Sequence, residues 1–214
     1  LQSTVGRLEL GAGMTVKVNG RIYRQAWEHH KNEWGGCTKC PLHSGTSKKV
    51  LIKGTLPCDI LFIGEAPDIL ESVIGIPFSN PAGKVMHTLI DDTKEEFTHA
   101  FTNVIACPST GGEGESRPPT SFEAEKCSPR LYEVLMMARP KGVILLGRSA
   151  QSFAISSLEK YKYAYKHLNL SHPSHIMRLG GRGSSFYEKE LKLLKTFLQR
   201  ILRYENEENQ NMEN

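Results

Sequence analysis

An α/β fold, specifically a three-layer α/β/α sandwich on a four-stranded, mostly parallel sheet, is predicted by three features of this 214-residue chain. Short apolar runs recur at 59–64 (DILFIG), 100–105 (AFTNVI), 142–146 (GVILL) and 167–170 (HLNL); each is too short for a helix and reads as a buried strand. Helical stretches alternate with them, which is the pattern of a parallel sheet covered on both faces. Gly, Pro and polar residues gather just beyond the strand ends, where open α/β sheets bind their ligands.

The elements follow in order. Residues 21–34 (RIYRQAWEHHKNEW) read as a helix stopped by Gly35-Gly36. A hairpin-like CTKCPLH comes next, and 44–58 is polar and irregular. After the first strand, GEAPDILESVIGIPFSNPAG reads as a long loop, followed by a helix from about Gly83 to Asp92. After the second strand, 107–119 is a loop. Thr120 or Ser121 then caps a helix whose first turn carries Glu123 and Glu125 and which runs to about Ala138. A helix from about Arg148 follows the third strand. The loop SHPSHIMRLGGRGSS follows the fourth and leads to a closing helix from about Phe186 to Tyr204. Residues 1–20 are expected to be a loose N-terminal arm or, before Met14, a vector scar; 21–204 a single domain; and 205–214 a disordered polar tail. No internal repeat is visible.

Net charge is +4 and the isoelectric point about 8.8, a mild basic balance compatible with a polyanionic partner. No apolar run is long enough to span a bilayer, and the opening residues do not have the form of a secretory signal. Five cysteines, an odd count, with one close Cys-x-x-Cys pair, fit metal ligation plus a spare thiol better than a disulfide framework, and so a reducing, cytoplasmic setting. Cys37, Cys40, Cys107 and Cys127 make up the four thiols that zinc or a cubane iron–sulfur cluster needs. Spacing alone does not exclude zinc. Cys58 has no partner pattern.

Seven motifs then occur in sequence: CTKC, LFIGEAP, GIPF, FTNVIACP, RPPTSFEAEKC, LLGRSA and HPSHIMRL. Each is short. In this order and in these strand–loop contexts, from about Gly35 to Leu198, the chain resembles the family-four uracil-DNA glycosylases. The resemblance implies a 4Fe-4S cluster on the four cysteines, uracil-containing DNA as partner, a monomer, and cleavage of the N-glycosidic bond of uracil to leave an abasic site in base excision repair. It also assigns roles. Phe78 stacks on the flipped base. Asn103, with both a donor and an acceptor, reads its edge, with Gly64 and Ala66 lining the same site. His172 donates to the departing uracil oxygen as charge grows there. Glu65 positions water or stabilises the sugar cation, and Glu71 is a second candidate carboxylate. In the HPS loop, Ile176 and Met177 are candidates to wedge into the gap left by the base, and Arg178 and Arg182 to grip phosphates.

The chain departs from the family pattern at several places. Asp68 stands where Gly follows GEAP, Ser72 where Asp is usual, Ser79 where Val is usual, and the loop between Cys107 and Cys127 is longer. A related branch traps uracil-DNA covalently through a His in that loop; 108–126 contains no His, so that branch is rejected. Asp68 keeps open a non-catalytic uracil-DNA or single-strand DNA binding module, or a glycosylase for another altered pyrimidine. A zinc-ribbon-like scaffold without a DNA role is a weaker alternative.

Overall fold

The computed structural model of the chain describes residues 16–111, 114–160 and 166–212, with side chains described through Arg203. The strands are β1 (Val16–Val18), β2 (Lys53–Leu56), β3 (Ile60–Gly64), β4 (His99–Asn103), β5 (Gly142–Leu146) and β6 (Lys166–Leu170). The helices are α1 (Arg21–Gly35), α2 (Ile69–Ile74), α3 (Pro81–Thr93), α4 (Ser121–Ala138), α5 (Arg148–Lys160), α6 (Pro173–Arg178) and α7 (Ser185–Met212), with a 3-10 turn at Pro41–His43.

These form the expected α/β sandwich, but among the described residues its sheet has six strands, not four, in the order β1-β2-β4-β3-β5-β6. It is also mixed: β2 runs antiparallel to β4, and every other pairing is parallel. The expected strands are its centre. β3 and β5 are buried along their whole length, so they carry the continuous apolar runs that sequence detects. The two additional strands, VKV and KGTL, are three and four residues long and lie on one edge, where little apolar surface is needed. β1 falls inside the segment expected to be a loose arm, of which residues 1–15 lie outside the described residues. At the other end α7 continues to Met212, through most of the expected polar tail.

Two apolar layers sandwich the sheet. One packs Trp27, Trp34, Leu131, Val134 and Leu158 of α1, α4 and α5 against Leu61, Ile63, Val143 and Leu145. The other packs Met86, Leu89, Leu194 and Phe197 of α3 and α7 against Ile60, Phe62, Phe101 and Ile144. This alternation of faces along β3 is the period-two signature of a strand. No described helix is long and apolar enough to cross a membrane.

Two short helices lie in segments expected to be loops. α2 is closed by a capping box in which the Asp68 carboxylate accepts from Glu71 N–H at 2.7 Å and Glu71 accepts from Asp68 N–H at 2.8 Å. α6 begins at Pro173, with His172 as its N-cap. The expected cap of α4 resolves to Thr120, which forms a capping box with Glu123.

Candidate active site

The carboxyl ends of β3 and β4 and the segment after β6 meet around a cleft of about 560 Å³ lined by Glu65, Ala66, Asp68, Glu71, Phe78, Asn103, His172 and Met177, among others. Eight of the residues singled out from sequence or as departures from pattern are thus brought to one place, a volume suited to a small planar ligand.

The floor is built by register. β3 and β4 pair in parallel with Gly64 beside Asn103. A Cβ at Gly64 would overlap the Oδ1 of Asn103 and sit 2.8 Å from Phe78 Cζ, so only glycine lets the amide and the ring close over this strand end. Phe78 has φ 55°, sits 5% exposed, and leans on Phe101 at 5.0 Å between centroids. Its carbonyl lies so close to Gly83, in the first turn of α3, that a Cβ there would collide with it. The ring is therefore fixed from behind while lining the cleft. Asn103 is buried, and its Nδ2 has no hydrogen-bond partner among the described residues. A buried, unpartnered amide donor costs on the order of 1–3 kcal/mol unless a ligand satisfies it.

His172 is set by its position before α6. The Ser174 backbone N–H donates to Nδ1 at 3.2 Å, and the Ser174 hydroxyl lies 2.8 Å from the same nitrogen. With Nδ1 accepting, the neutral ring carries its proton on Nε2. Burial, and then the charge of Arg178, lower its pKa from the ordinary histidine value. The loop before it is pinned by the buried Glu190 of α7, which accepts from Ser171 N–H at 2.9 Å and from the Ser171 hydroxyl at 3.1 Å.

The acidic residues separate by environment. Glu65 is half-exposed in the cleft wall. Glu71 is buried and committed to the capping box; burial pushes its pKa up to about 7. Asp68 is held on two sides, by Glu71 N–H and by the Asn80 amide, which donates to its Oδ2 at 2.7 Å. Asn80 in turn caps α3 through Gly83 N–H at 2.8 Å. Asp68 thus joins the starts of two helices that frame the cleft.

The HPS segment divides. Ile176 is fully buried in the core on the α3/α7 face and is not presented for a wedge, whereas Met177 is 42% exposed at the cleft. Arg178 is exposed beside Ser174. The Arg182 guanidinium is paired with Asp92 at 2.7 Å.

Cys37, Cys40, Cys107 and Cys127 line one second pocket together with Lys39, Lys49, Lys126 and Arg130. They come from the turn between α1 and Pro41, which holds Cys37 and Cys40, the loop after β4 and the body of α4. Burial raises the pKa of Cys40 and Cys107, and the neighbouring cysteines add to it. Among the described residues no group of three or more His, Cys, Asp or Glu side chains is arranged for a single metal ion. Cys58 is buried apart, its thiol pushed up to about 12 by burial.

Sequence reasoning passed over several residues of the site. Ser109 and Ser116 line the cleft from a loop stapled by Arg117, which reaches Ser109 Oγ at 2.9 Å and the Glu123 carboxylate at 2.6 Å. Asn80 carried a usable signal, since Asn-Pro ahead of an apolar stretch is a helix start. Arg130 carried none.

The model of the uracil DNA glycosylase superfamily matches residues 53–200. The chain is 34% identical over 118 residues to a type-4 uracil-DNA glycosylase of Archaeoglobus fulgidus, covering 55% of this chain and 57% of that protein. It is 32% identical over 126 residues to the one from Saccharolobus solfataricus, covering 57% and 56%, and 30% identical over 120 residues to the one from Thermotoga maritima, covering 56% and 60%. The chain spans a little over half the length of these relatives.

Proposed function

Starting from the premise that the chain belongs to the uracil DNA glycosylase superfamily, we propose that it hydrolyses the N-glycosidic bond of uracil in DNA and leaves an abasic site. The observation that carries this reading is the Asn103 amide: a buried donor without a partner among the described residues, beside an acceptor oxygen and close to the Phe78 ring at Gly64. A pyrimidine edge presenting both a carbonyl and an N–H matches that pair, and its face matches Phe78.

The chemistry follows from the remaining walls. As the glycosidic bond breaks, the bonding pair leaves with the base and positive charge gathers on the sugar. The Nε2–H of neutral His172 donates to the uracil oxygen where negative charge grows. Glu65, on the half-exposed wall, accepts a proton from the attacking water or faces the sugar cation. Glu71 holds the α2 cap, which leaves Glu65 as the better-placed carboxylate. Met177 is the candidate to fill the vacated stack, and Arg178 to meet a phosphate.

The four cysteines suit a 4Fe-4S cluster. They line a single pocket, and three lysines and an arginine around it offset the negative charge of thiolates. When bound, such a cluster supplies a cross-link between three chain segments rather than a step of the hydrolysis. A reducing, cytoplasmic setting fits free thiols and this cluster, and the protein acts as a monomer on uracil-containing DNA.

The binding-module alternative rested on Asp68 as an obstruction. That carboxylate is held by Glu71 and Asn80, so its presence has a structural reason. The deciding experiment incubates the protein with uracil-containing single- and double-stranded oligonucleotides and then treats them with alkali. Strand scission at uracil alone supports the reading. Tight uracil-DNA binding without scission would replace it with the binding module.

A further inference from the structure

Arg130 is a wholly buried cation whose guanidinium bonds to hydroxyl and carbonyl oxygens rather than to a carboxylate. It sits on α4, three residues after Cys127, and is 0% exposed. One end of the guanidinium donates to the Thr102 hydroxyl at 3.1 Å, to the Asn103 carbonyl, and to the Val104 carbonyl at 3.1 Å. These are the last residues of β4 and the first beyond it, the stretch that presents the Asn103 amide to the cleft. The same residue lines the four-cysteine pocket, and its Nε is buried without a partner among the described residues. A buried guanidinium left partly unsatisfied and without counter-charge is costly. Thiolates holding a bound cluster in the pocket that it lines would supply what is missing.

We propose that Arg130 is a positioning residue that couples the four-cysteine site to the base-reading amide, holding the end of β4 in register only while the cysteine pocket is charged and filled. The inference rests on the reading of Asn103 as the group that meets the base. Thr102 strengthens the link: its hydroxyl donates to Leu51 C=O at 2.7 Å while accepting from Arg130, so one side chain ties α4, β4 and the segment before β2 together. Through it, a group bound on one side of the sheet end acts on the geometry of the other without taking part in the reaction.

The test compares wild type with R130M, which keeps the length and removes the charge and donors, and R130K, which keeps one donor group. Three quantities are read for each: visible absorbance of the bound cluster, affinity for free uracil by titration calorimetry, and amide hydrogen exchange of the peptide spanning 102–105. R130M is expected to retain cluster absorbance, to bind uracil at least about tenfold more weakly, the scale of losing hydrogen bonds from a charged group, and to exchange faster at 102–105. R130K is expected to recover part of both. Stripping the cluster from wild type with chelator and oxidant is expected to loosen 102–105 in the same way, and to add little in R130M, because coupled changes are not additive. Additive effects of stripping and substitution, or an R130M protein with wild-type uracil affinity and exchange, would overturn the proposal. If wild type binds no uracil, the role of Asn103 fails, while the exchange measurements still decide whether Arg130 links the two sites. Should R130M not fold, R130Q carries the same measurements.

Discussion

At the scale of single residues, the site works by leaving chosen atoms without protein partners and satisfying the rest. Asn103 keeps an amide donor without a partner among the described residues, whereas Asp68, Glu71 and Asn80 each spend an acceptor oxygen on a helix cap. His172 commits Nδ1 to Ser174 and so presents Nε2–H. His172→Ala is therefore expected to lower single-turnover cleavage by about 10²-fold or more, the scale of losing one donor to developing charge, with little change in uracil-DNA affinity. The two glutamates make a sharper comparison. Glu71 has a pKa near 7, which by value alone is that of a general base, yet its oxygen is held by the Asp68 N–H. Glu71→Gln keeps an acceptor for that bond, and cleavage should stay within a few-fold of wild type with an unchanged rate–pH profile. Glu65→Gln should slow cleavage while sparing binding. A loss confined to Glu71→Gln in single-turnover assays would exchange the two roles.

At the scale of elements, α6 shows how one short helix divides its labour. Its buried side is Ile176 and its cleft side Met177, so two adjacent apolar residues that look equivalent in sequence should fail differently. Ile176→Ala is expected to cost about 2–5 kcal/mol of stability, as for other buried aliphatic truncations, measured by chemical denaturation. Met177→Ala should leave stability nearly unchanged and reduce activity on duplex more than on single-stranded DNA, since only a duplex needs its gap filled. Arg178→Ala should flatten the salt dependence of binding by about 0.9 for each phosphate it no longer neutralises, whereas Arg182, paired with Asp92, should contribute less. The same helix shows where sequence stops being legible. β3, β4 and β5 were readable because burial on both faces forces continuous apolar runs. α4 was readable because its capping box is written in Thr120 and Glu123. α2 and α6 are six residues each inside Gly/Pro-rich segments, too short to show a helical period, and β1 and β2 sit at an edge that demands no apolar run. Among the candidate residues, motif order singled out Phe78, Asn103 and His172, which the fold brings to one cleft. Arg130 stayed hidden because a basic residue in an amphipathic helix ordinarily faces solvent, and only the fold places it under the end of β4.

At the scale of the whole molecule, burial of ionisable groups around the sheet sets how the fold responds to acid. His30 and His87 are each lowered to about 4, chiefly by burial, with Arg130 next for His30 and Lys53 next for His87. His99 and His172 are lowered as well. A histidine whose pKa is depressed in the fold is protonated first in the unfolded chain. Its penalty therefore begins as pH falls below about 6.5 and is complete once pH has passed the folded value near 4. Glu71 acts in the opposite sense: raised to about 7, it favours the fold below about 4.5 and loses that contribution as pH rises through 7. One glutamate against four histidines leaves a net loss of stability on acidification. His87 is the cleanest place to read it, because its Nε2 lies 3.1 Å from Lys53 Nζ, a bond that a glutamine oxygen can accept in its stead. His87→Gln should therefore melt close to wild type at pH 7.5 but retain about 1–2 kcal/mol more stability at pH 4, the linkage value discounted for partial exposure. Parallel denaturant titrations at the two pH values measure this, and equal losses in the two proteins would show that His87 is not among the groups that unfold the chain in acid.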